Sequence, residues 1–109
     1  MNFDKAVEAV IKEAMERGEF ENLPGKGKPI DLTAYFGAPE EVRMAHSVLK
    51  NAGMKPREVD LLKEIAELKQ ILAALLDEKR KHEIQKQIQQ KQVEFSLMME
   101  QHRRQSKQK

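Results

Sequence analysis

The chain has 109 residues, 39% of them hydrophobic and 35% charged, with no Cys, no Trp, one Tyr and a formal net charge of +2. That length holds one domain, and the lean apolar content suits helices that each bury one stripe. Absence of Cys excludes disulfides, thiolate chemistry and cysteine zinc sites, and no apolar run approaches the roughly 18 residues of a bilayer span.

The first element is a helix from about Asp4, its expected N-cap, to about Arg17. Val7, Val10, Ile11, Ala14 and Met15 recur at three- and four-residue spacing and form one apolar stripe. Phe3 is placed to staple onto Val7. Gly18 stands where a left-handed residue closes a helix.

An irregular stretch follows, from Gly18 to Leu32, with three of the five glycines and two of the four prolines. Pro fixes φ and lacks an N–H, whereas Gly admits positive φ, so no helix crosses it. Phe20, Leu23, Ile30 and Leu32 punctuate it irregularly, as in a loop pinned to a core. Leu23-Pro24-Gly25 reads as a type II turn. Gly25-Lys26-Gly27-Lys28 lacks the Ser/Thr and the helix of a phosphate-binding loop, because Pro29 follows. Lys26 and Lys28, with Asn22 beside them, are instead candidates for meeting a partner.

Tyr35 and Phe36 are expected core anchors in a short turn closed by Gly37. Pro39 opens a second helix, with Glu40 and Glu41 at its positive end. Val42, Ala45, Val48 and Leu49 form the buried stripe, and Gly53 and Pro56 bound the exit. His46 has no ligand or catalytic neighbour at useful spacing and reads as a surface or rim residue.

From Arg57 onward there is neither Gly nor Pro. Leu61, Ile65, Leu68, Leu72 and Leu75 form a coiled-coil-like seam. Continued in register, that seam reaches Lys79, His82, Lys86 and Gln89, all polar. Apolar residues resume out of register at Ile84, Ile88, Phe95, Met98 and Met99. The lost seam favours an antiparallel hairpin turning within 77–81, while the missing turn residues favour one continuous helix; the hairpin is preferred. The end, from Gln101, is polar and expected to fray. The resulting expectation is an all-α fold: two short helices joined by a pinned Gly/Pro loop, then a long helix or an antiparallel helical hairpin. A domain over 1–76 carries a charged helical extension over 77–109.

Charge is uneven along the chain. Residues 1–56 carry eight Lys/Arg against nine Asp/Glu, and residues 79–109 carry nine against three. A basic segment on a near-neutral body can touch RNA, anionic lipid or an acidic partner.

Two stretches together resemble a known family. They are Glu13-Ala14-Met15-x-Arg17-Gly18-Glu19-Phe20-x-Asn22-Leu23-Pro24-Gly25-x-Gly27-Lys28-Pro29-Ile30 and Leu49-Lys50-Asn51-Ala52-Gly53-x-x-Pro56-x-Glu58. The order and spacing are similar to the small domain found alone in many bacteria and also in the mitochondrial J-domain protein subfamily C member 28. The resemblance covers about residues 3–76 and implies fold and chaperone kinship rather than an established activity. The His-Pro-Asp tripeptide that stimulates Hsp70 is absent, so the resemblance carries no co-chaperone activity to this chain.

No catalytic, cofactor-binding or metal-ligating constellation stands out, so the expected function is a non-catalytic helical protein-interaction module with no cofactor. The alternative is an RNA- or ribosome-associated factor that uses Lys79, Arg80, Lys81, Arg103, Arg104, Lys107 and Lys109. Arg103 and Arg104 are partner candidates in either case. A homodimer through Leu61, Ile65, Leu68, Leu72 and Leu75 is compatible with both. No membrane contact is expected. The start, Met1-Asn2-Phe3-Asp4, has no leader pattern, so the expected location is cytoplasmic.

Overall fold

A computed structural model of the protein describes residues 3–23 and 32–107. Its described residues form four α-helices and two 3-10 turns and no strand, so the fold is all-α. The helices are α1 (Phe3–Glu16), α2 (Pro39–Asn51), α3 (Pro56–Ala74) and α4 (Glu78–Lys107); the turns are Glu19–Asn22 and Thr33–Tyr35.

Helix α1 buries Val7, Val10, Ile11 and Ala14, the stripe set by its spacing. Asp4, the expected N-cap, lies in its first turn rather than before it. Its carboxylate there faces the positive helix end. Phe3 is exposed. At the other end Gly18 takes φ 75°, and its N–H reaches the Met15 carbonyl at 3.0 Å. This left-handed residue lets the chain reverse into the first 3-10 turn, which drives Phe20 into the core. Leu23 and Leu32, which flank residues 24–31, are both buried. The expected type II turn and Lys26 and Lys28 fall outside the described residues. Tyr35 and Phe36 pack against the core from its edge.

Helix α2 starts with Pro39 at its first position and ends in a Schellman motif. There the Gly53 N–H bonds the Lys50 carbonyl and the Met54 N–H bonds the Leu49 carbonyl, both at 3.0 Å. Leu49 and Met54 are buried as its hydrophobic pair.

Helix α3 is the centre of the molecule. Val59, Leu62 and Ala66 lie on one side of its buried arc, with Leu61 and Ile65 on the other. Helix α1 packs along α3, and α4 packs along α3 and against the first 3-10 turn. The Lys69–Glu13 ion pair marks the α1 side, and the Lys91–Glu64 pair marks the α4 side.

The hairpin forms. Helix α4 runs antiparallel to α3, because Arg57 meets Glu94 and Glu64 meets Lys91. The chain turns at 75–77, slightly before the expected 77–81. Asp77 is the device: its Oδ1 accepts from the Lys79 N–H at 3.0 Å, an N-cap that starts α4. Helix α4 buries Ile88, Phe95 and Met99. The Phe95 ring meets Phe20 edge-on, with centroids 6.4 Å apart and planes at 85°. The original leucine register continues instead onto the outer side of α4, where Lys79, His82, Lys86 and Gln89 are exposed. The tail departs from expectation too: α4 stays helical through Lys107, and His102 is buried.

Candidate functional site

The N-terminus of α3 and the last turns of α4 meet around two buried polar side chains. Glu58 is 1% exposed and His102 is 4% exposed. His102 Nε2 lies 2.8 Å from Glu58 Oε1 and 2.9 Å from Oε2. Both carboxyl oxygens face the ring nitrogen and a carboxylate oxygen accepts, so Nε2 is the donor of this pair. The same Oε1 also accepts from the Lys55 N–H at 2.9 Å, capping α3. Glu58 therefore satisfies a helix end and anchors the far end of α4 at once. Part of this was available locally: Pro56 and Glu58 occupy the first and third helical positions of a capping box. His102, forty-four residues away, gave no such signal.

Outside the buried pair, charged groups join α3 to α4. Arg57 donates to Glu64 at 2.9 Å and to Glu94 at 3.2 Å, while Lys91 donates to Glu64 at 2.7 Å. The Lys91 hydrogen bond, then the charges of Lys91 and Arg57, hold the Glu64 carboxyl below its ordinary value against desolvation. These groups are substantially exposed, so they set register more than they add stability. His46 is half-buried on α2. Burial, then the charges of Lys63 and Lys50, push its ring below its ordinary value, with Asp4 opposing. Its Nε2 is buried with no hydrogen-bond partner among the described residues.

The basic residues do not converge. Arg103 and Arg104 are exposed near one end of α4, and Lys79 and Arg80 are exposed at the other. Roughly 25 helical residues, or about 37 Å, separate them. Arg103 also pairs with Glu100 at 3.4 Å, and Lys81 pairs with Glu78 at the same distance. Asn22 closes the first 3-10 turn, its side chain lying outside the described set. Lys26, Lys28 and Lys109 are likewise outside it, and so is the Lys107 side chain. Leu61 and Ile65 are spent in the core, and Leu68 and Leu72 pack against it. A dimer through that seam would have to displace α1 or α4.

The outer flank of α4 is less finished. Two grooves of about 480 and 520 Å³ adjoin there, sharing Gln89 and Gln92. Val93 and Leu97, one helical turn apart, line the first groove at 56% and 62% exposure. Arg17 from the end of α1 forms its wall, and His82 and Lys86 extend the second towards the hairpin turn. Among the described residues no group of three His, Cys, Asp or Glu could hold a metal ion. None of the described helices is long and apolar enough to cross a membrane.

Comparison with known proteins places these features in a family. Residues 6–73 match the family described as DnaJ homologue, subfamily C, member 28, conserved domain. Uncharacterized protein YflB of Bacillus subtilis (strain 168) is 37% identical over 94 residues, which span 85% of this chain and 72% of that protein. Uncharacterized protein YhdN of Escherichia coli (strain K12) is 39% identical over 72 residues, 66% of this chain and 59% of its own length. The DnaJ homolog subfamily C member 28 of Mus musculus is 35% identical over 82 residues, 72% of this chain but 21% of the mouse protein. No solved structure matches. The matched region ends just before the turn into α4 and takes in Gly18, Gly53 and Glu58, the residues that close α1 and α2 and open α3. On that match the chain belongs to the DnaJ homologue subfamily C member 28 conserved-domain family.

Proposed function

We propose that this domain is a non-catalytic helical protein-interaction module, related to chaperone systems by kinship. The observation that carries the reading is the state of α4. A thirty-residue helix commits one face to the core and leaves Val93 and Leu97 exposed beside a groove on another. Paired exposed aliphatic side chains on a rigid helix are what a partner surface uses. The polar pair at Glu58 and His102 is engaged in joining two helices, so it serves the scaffold.

The test is recovery of partners by the tagged protein, with and without nuclease and at two salt concentrations. A defined protein that survives both treatments is the expected result. Material lost to nuclease and to salt together would instead support an RNA-associated role, since phosphate contacts weaken steeply with ionic strength.

A further inference from the structure

We infer that the trough along the outer flank of α4 is a docking site for an acidic amphipathic helix of a partner protein. The inference rests on the interaction-module reading and specifies its surface and its ligand chemistry.

Length comes first. The two grooves merge through Gln89 and Gln92 into one trough running from His82 to Glu100. Eighteen residues of helix make about 27 Å, or five turns, the length of an ordinary recognition helix. Val93 and Leu97, one turn apart, make an apolar patch in the first groove, and the rest of the α4 lining, including the junction of the two grooves, is rich in glutamine. That arrangement takes aliphatic side chains spaced by four and offers amide groups to a polar rim.

Charge then selects the partner. Lys86 lines one end, and Arg17 stands on the wall beside Val93 and Leu97. Neither forms an ion pair with a described residue, whereas the lining acid, Glu100, is already tied to Arg103. Arg104, exposed, continues the basic character beyond the trough. A ligand helix with two aliphatic anchors flanked by Asp or Glu satisfies both features. A second copy of this chain does not. Antiparallel pairing about Val93 and Leu97 would set Lys86 of one copy against Arg104 of the other. Nucleic acid fits less well, because phosphates have no use for the apolar patch and the cations do not form one patch.

The experiment is a display selection of helical peptides, about five turns long, against the full chain. Selected peptides are then measured by fluorescence anisotropy on wild type, on the V93D/L97D variant and on the R17E/K86E variant. Both pairs lie on exposed or half-open surface, and a circular dichroism melt verifies that each variant folds. The expected outcome is enrichment of acidic sequences with aliphatic residues spaced by four. Binding should weaken by at least about tenfold on V93D/L97D. On R17E/K86E it should weaken and then be regained when the peptide's acids are replaced by Lys. Absence of enrichment, enrichment of basic or neutral peptides, or unchanged binding to V93D/L97D would each overturn the inference. So would dimerisation that V93D/L97D abolishes, or a uridine oligonucleotide that competes fully with the peptide.

The two proposals fail separately. A partner recovered equally by wild type and V93D/L97D leaves the interaction module standing and removes this trough from it. Failure of the peptide selection together with failure to recover any protein partner would remove both.

Discussion

Glu58 and His102 are where single residues carry the most weight. A carboxylate this buried is tolerable only while its oxygens are occupied, here by one ring N–H and one backbone N–H. His102→Ala removes one donor and leaves a cavity beside the charge, so it should cost about 3 kcal/mol in urea unfolding. His102→Gln, which can still donate, should cost less. Equal losses for the two would show that packing, not the hydrogen bond, matters at this position. His46 sets a pH dependence of its own. Its folded pKa is lowered, first by burial and then by Lys63 and Lys50, so the unfolded chain binds the proton more readily. Stability therefore rises with pH across the window between the depressed folded value and the ordinary 6.5, and is lost as pH falls through it. Unfolding midpoints measured across that window should slope upward with pH for wild type and flatten for His46→Gln.

At the scale of elements, the hairpin turn is the informative piece. Residues 75–77 contain no Gly or Pro, and Leu76 is 92% exposed at the tip. What breaks the helix is partly Asp77, whose side chain offers the α4 N-terminus a better partner than continued helix does. Asp77→Ala should destabilise by about 1 kcal/mol in thermal or urea unfolding. Leu76→Ser, by contrast, should be nearly neutral. A loss at Leu76 matching that at Asp77 would mean the tip is packed in solution. The larger cause is the stripe geometry. Leu61 and Ile84 are 23 residues apart, which turns the two apolar stripes about 140° from each other on a straight helix. One continuous helix could not bury both against one neighbour, whereas a reversal brings them face to face.

For the molecule as a whole, the burial of Leu61 and Ile65 makes a prediction about oligomeric state. These side chains hold α3 to its neighbours within one chain. Leu61→Ala should thus lower stability by about 2–5 kcal/mol at every protein concentration, read as an unfolding midpoint that does not move on dilution. A midpoint that rises steeply with concentration would return the seam to a dimer interface.

Much of this architecture was legible in the chain because its causes are local. The α1 stripe, Gly18 and Gly53 at helix ends, Pro39 at a helix start and the out-of-register return of apolar residues all act within a few residues of themselves. Their chemistry is the same in any context that permits a helix. The site was less legible. Arg57 with Glu94, Lys91 with Glu64 and Glu58 with His102 are separated by 37, 27 and 44 positions. Each partner taken alone reads as an ordinary surface residue. The tail read as solvated because His102 is polar and its neighbours are basic, and only a carboxylate waiting at the start of α3 makes its burial favourable. Similarly, the net excess of Lys and Arg over 79–109 reads as one basic segment until helix geometry spreads its described members along the length of α4. By itself, then, the sequence determined the all-helical class, the apolar stripes, the Gly and Pro helix boundaries and the family, since these depend on backbone preferences and short-range periodicity. Tertiary structure alone decided the partner of the buried carboxylate, the burial of Leu61 and Ile65 against neighbouring helices, and the face of α4 that stays open. Those depend on which distant side chains meet when the apolar stripes are buried, and no local rule encodes that meeting.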